Sequence, residues 1–237
     1  TEIYTLSLHD ALPILGKGID GVVIGTPDHT HAVIALAAMK HHKHVYCEKP
    51  LAHSYGEVRA LMAAAKEHKV VTQLGNQGHS SGSIRQLCEW VWAGAVGKVH
   101  TVHAACDAFK DVYSQKRNLD KLQQPYDVPQ SLDYDLWLGP AQFRPYTPFW
   151  VHWNWRGWMP FGTGTIGDWF CHVIDPSFWA LDLGEPSSVQ AEVTDYDPAR
   201  HGLTYPPGTR ITFEFPARQE DRKSVVKGKS VDLGGRR

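Results

Sequence analysis

The chain has 237 residues, 42% of them hydrophobic and 21% charged, with a net charge of −1. This suits a globular protein of one or two domains. It has no basic stripe to hold nucleic acid or an anionic membrane, and no apolar run long enough to span a bilayer.

Thr1 to about Ile14 (TEIYTLSLHDALPI) and Asp221 to Arg237 (DRKSVVKGKSVDLGGRR) do not continue the patterns beside them. Both resemble translated sequencing-adapter DNA at the ends of an assembled fragment. Residues 1–14 and 221–237 are therefore read as non-native tails, against the alternative of a native first strand and a native basic tail. Between them, Gly21 to Gly25 reads as a buried strand closed by Thr26-Pro27. A helix follows from His29 to about His41, and Val45 to Cys47 is the next strand. Ser54 can cap a helix reaching about His68, because Glu57 sits three residues on and Val58, Leu61, Met62 and Ala65 form a stripe. Val70 to Leu74 is a third strand, ending at Gly75-Asn76-Gln77-Gly78, and a helix spans about Ser83 to Ala93. Strands alternating with helices predict a parallel sheet. The rhythm then changes. Lys98 to Ala105 reads as a strand and Asp107 to Trp150 as a long polar loop of the kind that is usually functional. A helix over Thr165–Leu183 and strands near Ser188–Thr194 and Thr209–Phe215 complete an α+β second part.

The four cysteines fall in separate apolar segments without a Cys-x-x-Cys pair, which predicts buried free thiols. Lys40-His41-His42-Lys43-His44 reads as a solvated helix end complementing the carbonyl dipole, since it has no carboxylate or thiol at ligand spacing; no metal is expected. Trp150, Trp153, Trp155 and Trp158 crowd one stretch, as a core corner or as an aromatic wall for a ligand.

Two segments carry chemistry. Val45-Tyr46-Cys47-Glu48-Lys49-Pro50 delivers a lysine to the carboxyl end of a parallel strand, where open α/β sheets bind ligands. Such a lysine can shed hydration and serve in proton transfer, and the proline stiffens its backbone or holds a cis bond. Gly162 to His172 holds Asp168 and His172 four apart, hence on one helical face. A carboxylate beside an imidazole suits a dehydrogenase: the imidazole exchanges the hydroxyl proton while hydride leaves the same carbon. The glycines before them would let backbone approach a ligand. Arg156, Trp155 and Trp158 are candidate substrate contacts by residue type and position, with core packing and a structural ion pair as the alternative.

With these motifs in place, the chain resembles the Gfo/Idh/MocA family of NAD(P)-dependent oxidoreductases. Gly25-Thr26-Pro27-Asp28-His29-Thr30-His31, Glu48-Lys49-Pro50, Asp133 to Pro140 and Gly164 to His172 with Asp175-Pro176 occur in the family's order. The resemblance implies a partial Rossmann-like sheet over residues 15–96, lacking its first strands, and a partial α+β substrate and oligomerisation domain with an open sheet over 97–220. It implies that Lys49 meets the substrate hydroxyl, that His172 is the general acid/base with Asp168 as its partner, and that Thr26, Pro27, His31, Glu48, Asn76 and Gln77 border an NAD or NADP site. The substrate would be a sugar, polyol or related carbohydrate. Alternatives are an NAD-retaining glycoside hydrolase of the same superfamily, or a non-catalytic sensor on the same fold. Homo-oligomers are expected of the parent, with the cytoplasm as the default location unless an export signal preceded the chain.

One departure matters. The Gly-x-Gly-x-x-Gly turn that seats a pyrophosphate on a helix N-terminus is absent, and Gly21–Ile24 is left as an exposed apolar edge. The 237-residue chain is thus expected to be marginally folded and to bind NAD(P) weakly. Calorimetric titration should give little heat at micromolar NAD; tight binding would contradict the expectation.

Overall fold

The computed structural model describes residues 18–107, 110–216 and 231–232. Both predicted tails lie outside them, except Val231–Asp232. In chain order the elements are β1 (Gly21–Ile24), α1 (Asp28–Lys40), β2 (His44–Glu48), α2 (Tyr55–His68), β3 (Thr72–Gly75), α3 (Gly82–Trp92), β4 (Val102–His103), α4 (Lys110–Tyr113), α5 (Tyr134–Leu138), α6 (Gly164–Val173), α7 (Asp175–Ala180), β5 (Ser188–Thr194), α8 (Pro198–His201), β6 (Gly208–Glu214) and β7 (Val231–Asp232). None of the described helices is long and apolar enough to cross a membrane. The chain forms two compact units. The first comprises Thr1–Gly75, Val112–Asp168 and His201–Tyr205; the second comprises Asn76–Asp111, Trp169–Arg200 and Pro206–Arg237. The division thus falls at Gly75 rather than after residue 96, and residues 112–168 belong with the strands.

In the first unit β2 lies between β1 and β3, and all three strands are parallel. Val45 and Cys47 alternate inward from β2 and meet Ile24, Ala32, Ala35, Met39 and Leu61 in one core. α2 begins with the expected reciprocal cap: Ser54 Oγ accepts from Glu57 N at 3.3 Å, and Glu57 Oε2 accepts from Ser54 N at 2.7 Å. It ends at Lys69 in the left-handed region, φ 54°. β1 is less buried than expected: Val23 is 66% exposed and only Ile24 is buried. Among the described residues β1 pairs with β2 alone, in keeping with the exposed edge expected of it.

Asp107–Trp150 is not a bare loop. It contains α4, a 3₁₀ segment over Lys116–Gln123 and α5, and it feeds a second core of Tyr134, Leu138, Tyr146, Trp150, Trp155, Trp158 and Phe161. Trp158 is fully buried, with its indole N–H donating to Phe149 O at 2.8 Å and its ring edge-on to Trp150 at 4.8 Å. Trp150 donates to Pro145 O at 2.9 Å. Burial pushes the Tyr134 phenol up to about 12.

In the second unit α3 is capped by Ser81, whose hydroxyl accepts from Ile84 N at 3.3 Å. Its Cys88 is buried, and Trp92 Nε1 donates to Ala180 O of α7 at 2.9 Å. β5 and β6 lie where strands are expected, and they form an antiparallel ladder from Ser188↔Glu214 to Thr194↔Gly208. Three expectations are corrected. The predicted Lys98–Ala105 strand shrinks to β4, which pairs in parallel with β7. The single helix over Thr165–Leu183 is two, α6 and α7, because Pro176 can donate no backbone N–H to the turn before it and instead sits in the first turn of α7. Cys47 and Cys88 are buried, but Cys106 and Cys171 are only partly so.

His29 locks α1 to the aromatic core of the first unit. It is 3% exposed, its N–H donates to Phe161 O at 3.2 Å, and its ring nitrogens lie 3.2 Å from Trp137 O and 3.3 Å from Phe161 O. Burial lowers its pKa to about 4, against the pull of these carbonyls. An unfolded histidine titrates near 6.5, so the unfolded chain takes up the proton first as pH falls. This contribution is complete above about pH 6.5 and is lost down to about pH 4, by up to about 3 kcal/mol. Urea midpoints measured across that window should flatten in a His29→Gln variant; an unchanged slope would contradict this role.

Candidate active site

The carboxyl end of β2 delivers Glu48 and Lys49, with Lys49–Pro50 in the cis form. Lys49 N donates to Gly75 O at 3.2 Å, so the corner is tied to the end of β3. A side chain at residue 75 would collide with Glu48 Cδ and the Tyr46 ring at 2.8 Å, which explains glycine there. His31 braces the same corner: one ring nitrogen lies 2.7 Å from Pro50 O and the other 2.8 Å from Thr26 O. At 1% exposure His31 holds the Thr26 and Pro50 backbones together, rather than lining a cofactor as expected. Thr26 and Pro27 form the turn into α1: Thr30 Oγ1 lies 2.8 Å from both Thr26 Oγ1 and Pro27 O.

The lysine meets a carboxylate far along the chain. Lys49 Nζ donates to Asp168 Oδ1 and, at 2.9 Å, to Asp168 O. The other carboxylate oxygen accepts from the Tyr113 hydroxyl and from Arg156 Nε at 3.1 Å. Asp168 is 8% exposed. Burial alone would raise its pKa, but the Lys49 and Tyr113 hydrogen bonds and the charges of Lys49 and Arg156 outweigh it and hold the carboxyl below its ordinary value. The Arg156 guanidinium is stacked between two indoles, 3.9 Å from the Trp153 ring centre and 4.2 Å from that of Trp155.

The structure therefore brings Lys49, Asp168 and Arg156 together, and adds Tyr113. This phenol is 2% exposed and sat unremarked in a segment read as polar loop. Nothing in the spacing of Asp111-Val112-Tyr113 marks it; only the tertiary fold does. Trp155 is buried with one face on Arg156, and the fully buried Trp158 is a core residue instead of a substrate contact. The glycines are also spent on packing. A side chain at Gly162 would meet the Arg156 backbone at 2.6 Å, and Gly164, at φ +65°, would strike the Tyr205 ring at 2.6 Å. A cavity lined by Leu132, Trp137, Tyr146 and His152 contains none of the predicted site residues.

In the second unit, Asn76 donates from Nδ2 to Cys171 O at 3.0 Å, while its Oδ1 is buried with no partner among the described residues. Gln77 is exposed at the start of a 3₁₀ turn. α6 passes from the first unit into the second after Asp168, so His172, one turn on, belongs to the second. Its ring packs edge-on to Trp169 at 5.7 Å.

The donor set fits the nicotinamide end of a dinucleotide. Glu48 is half-buried at a strand's carboxyl end and its carboxylate makes no hydrogen bond among the described residues, leaving two acceptor oxygens for ribose hydroxyls.

Comparison with known proteins agrees. Residues 4–76 match a family model described as oxidoreductase family, NAD-binding Rossmann fold, and residues 80–230 match the family's C-terminal alpha/beta domain. A levoglucosan dehydrogenase of Pseudarthrobacter phenanthrenivorans is 27% identical over 179 residues, covering 76% of this chain and 37% of that protein. The 2,7-anhydro-N-acetylneuraminate hydratase of Escherichia coli is 31% identical over 102 residues, 43% of this chain and 27% of that protein. A solved levoglucosan dehydrogenase, in complex with NADH and levoglucosan, superposes with a TM-score of 0.62 at 23% identity, covering 95% of this chain and 50% of that one. The chain thus spans half or less of each of these relatives. It belongs to the Gfo/Idh/MocA family of oxidoreductases.

Proposed function

We propose that the chain is part of an NAD(P)-dependent enzyme that moves hydride between the nicotinamide and a carbinol carbon of a sugar or polyol. The observation that carries this reading is the contact of Lys49 with Asp168, 119 residues apart in sequence, at the carboxyl end of a parallel strand. Thr26, Pro27 and Glu48 would border the nicotinamide ribose, with Asn76 and Gln77 as further contacts; the cofactor supplies the hydride acceptor. Two of the three Lys49 N–H donors go to Asp168, and the third would point its charge at the substrate oxygen. As hydride leaves the carbon, negative charge grows on that oxygen, and a fixed ammonium stabilises it there more than in the bound alcohol. The His172 imidazole, one turn beyond Asp168 on α6, would take the proton. Asp168 holds Lys49 in position.

A reading without net redox change also has support, since one of the relatives is named a hydratase. The same lysine and imidazole would then move protons around a transient oxidation, as they would in a glycosidase that retains its NAD.

Turnover of aldoses and polyols by the complete enzyme, followed by NADH absorbance, tests the proposal. Lys49→Met should lower kcat/KM by roughly 10²-fold or more. Undiminished turnover by the variant would remove Lys49 from the mechanism, and product formation without net NADH would favour the redox-neutral reading.

A further inference from the structure

Arg156 is held more rigidly than a structural ion pair requires, and it is only partly used. Its plane is fixed by the two flanking indoles, its side chain is 20% exposed, and Nε alone makes a hydrogen bond. The two terminal NH₂ groups make none among the described residues, and neither is a buried orphan. Its partner is shared: the Asp168 carboxylate also takes Lys49 and Tyr113. Two half-buried cations, Lys49 and Arg156, share the Asp168 carboxylate, and the buried carboxyl of Asp28 also lies within electrostatic reach of Arg156. What the structure leaves open is the terminal edge of the guanidinium, whose N–H donors need an acceptor wherever water is excluded. A planar guanidinium with a free edge matches the two oxygens of a carboxylate, with two parallel N–H···O bonds.

We propose that Arg156 reads a carboxylate on the substrate, and that this enzyme takes an acidic sugar of the uronate or aldonate class rather than a neutral one. The proposal rests on the carbohydrate reading above and narrows it. Lys49 would meet the hydroxyl that is oxidised, while the terminal nitrogens of Arg156 hold the carboxylate at a second point. Two fixed points on one ring select which carbinol carbon is presented. The Trp153 indole, half-exposed beside the guanidinium, keeps its plane from turning.

The test is calorimetric titration of the full 237-residue chain with D-glucuronate, D-glucuronamide and D-glucose at fixed ionic strength. Glucuronamide keeps the shape and removes the charge. Glucuronate is expected to bind about tenfold more tightly or better than either neutral sugar. In Arg156→Gln that preference should fall to about one, and in Arg156→Lys, which keeps the charge without the fork, to an intermediate value. Equal binding of the three sugars by the unaltered chain would overturn the carboxylate assignment while leaving the carbohydrate reading intact. Binding of none by a chain whose circular dichroism shows it folded would overturn both. A preference for glucuronate that survives unchanged in Arg156→Gln would place the carboxylate elsewhere and overturn the role of Arg156.

Discussion

The site depends on one buried carboxylate. Asp168 takes hydrogen bonds from a lysine, a phenol and a guanidinium, and these come from a strand end, a short helix and a 3₁₀ turn. An ionised carboxylate at 8% exposure is tolerable only with such partners, because the interior offers no water to replace them. The dependence is mutual. Without Asp168, two half-buried cations would be left without their shared counter-ion. The cluster therefore constrains the fold as well as the chemistry: residues 49, 113, 156 and 168 must arrive together or each carries a desolvated, unanswered group.

The backbone around the cluster follows from the same requirement. The Lys49 corner is pinned by β3 through Gly75 and by α1 through His31, so the ammonium is offered from a rigid support. Arg156 is pinned by indoles on both faces, and the Gly162 backbone packs directly against it. Lys49 and Arg156 are thus held at fixed positions, and N–H donors so preorganised need little rearrangement to meet a negatively charged group. Holding both on one carboxylate also couples them, so a change at either should be felt at the other.

Much of this was legible in the sequence. The parallel strands, the capped helix at Ser54 and the two strands β5 and β6 follow from local periodicity and capping, which short windows report well. Lys49 and Asp168 stood out by motif. What escaped depends on contacts distant in sequence. Tyr113 is an ordinary tyrosine until residues 112–168 fold onto the strand layer, and Trp158 looked like a ligand wall until its indole found Phe149 O. His31 looked like a cofactor contact because sequence cannot show that both its nitrogens face backbone carbonyls. The break between α6 and α7 was visible in Pro176, which the reading of one helix over Thr165–Leu183 passed over.

A double-mutant cycle between Lys49 and Asp168 tests the central claim most directly. Unfolding free energies would be measured for the unaltered chain, Lys49→Met, Asp168→Asn and the double variant. The account predicts a coupling energy of about 1–3 kcal/mol, because each single change strands the other group. Additive effects, within about 0.3 kcal/mol, would mean that the two side chains do not hold one another and would contradict the account.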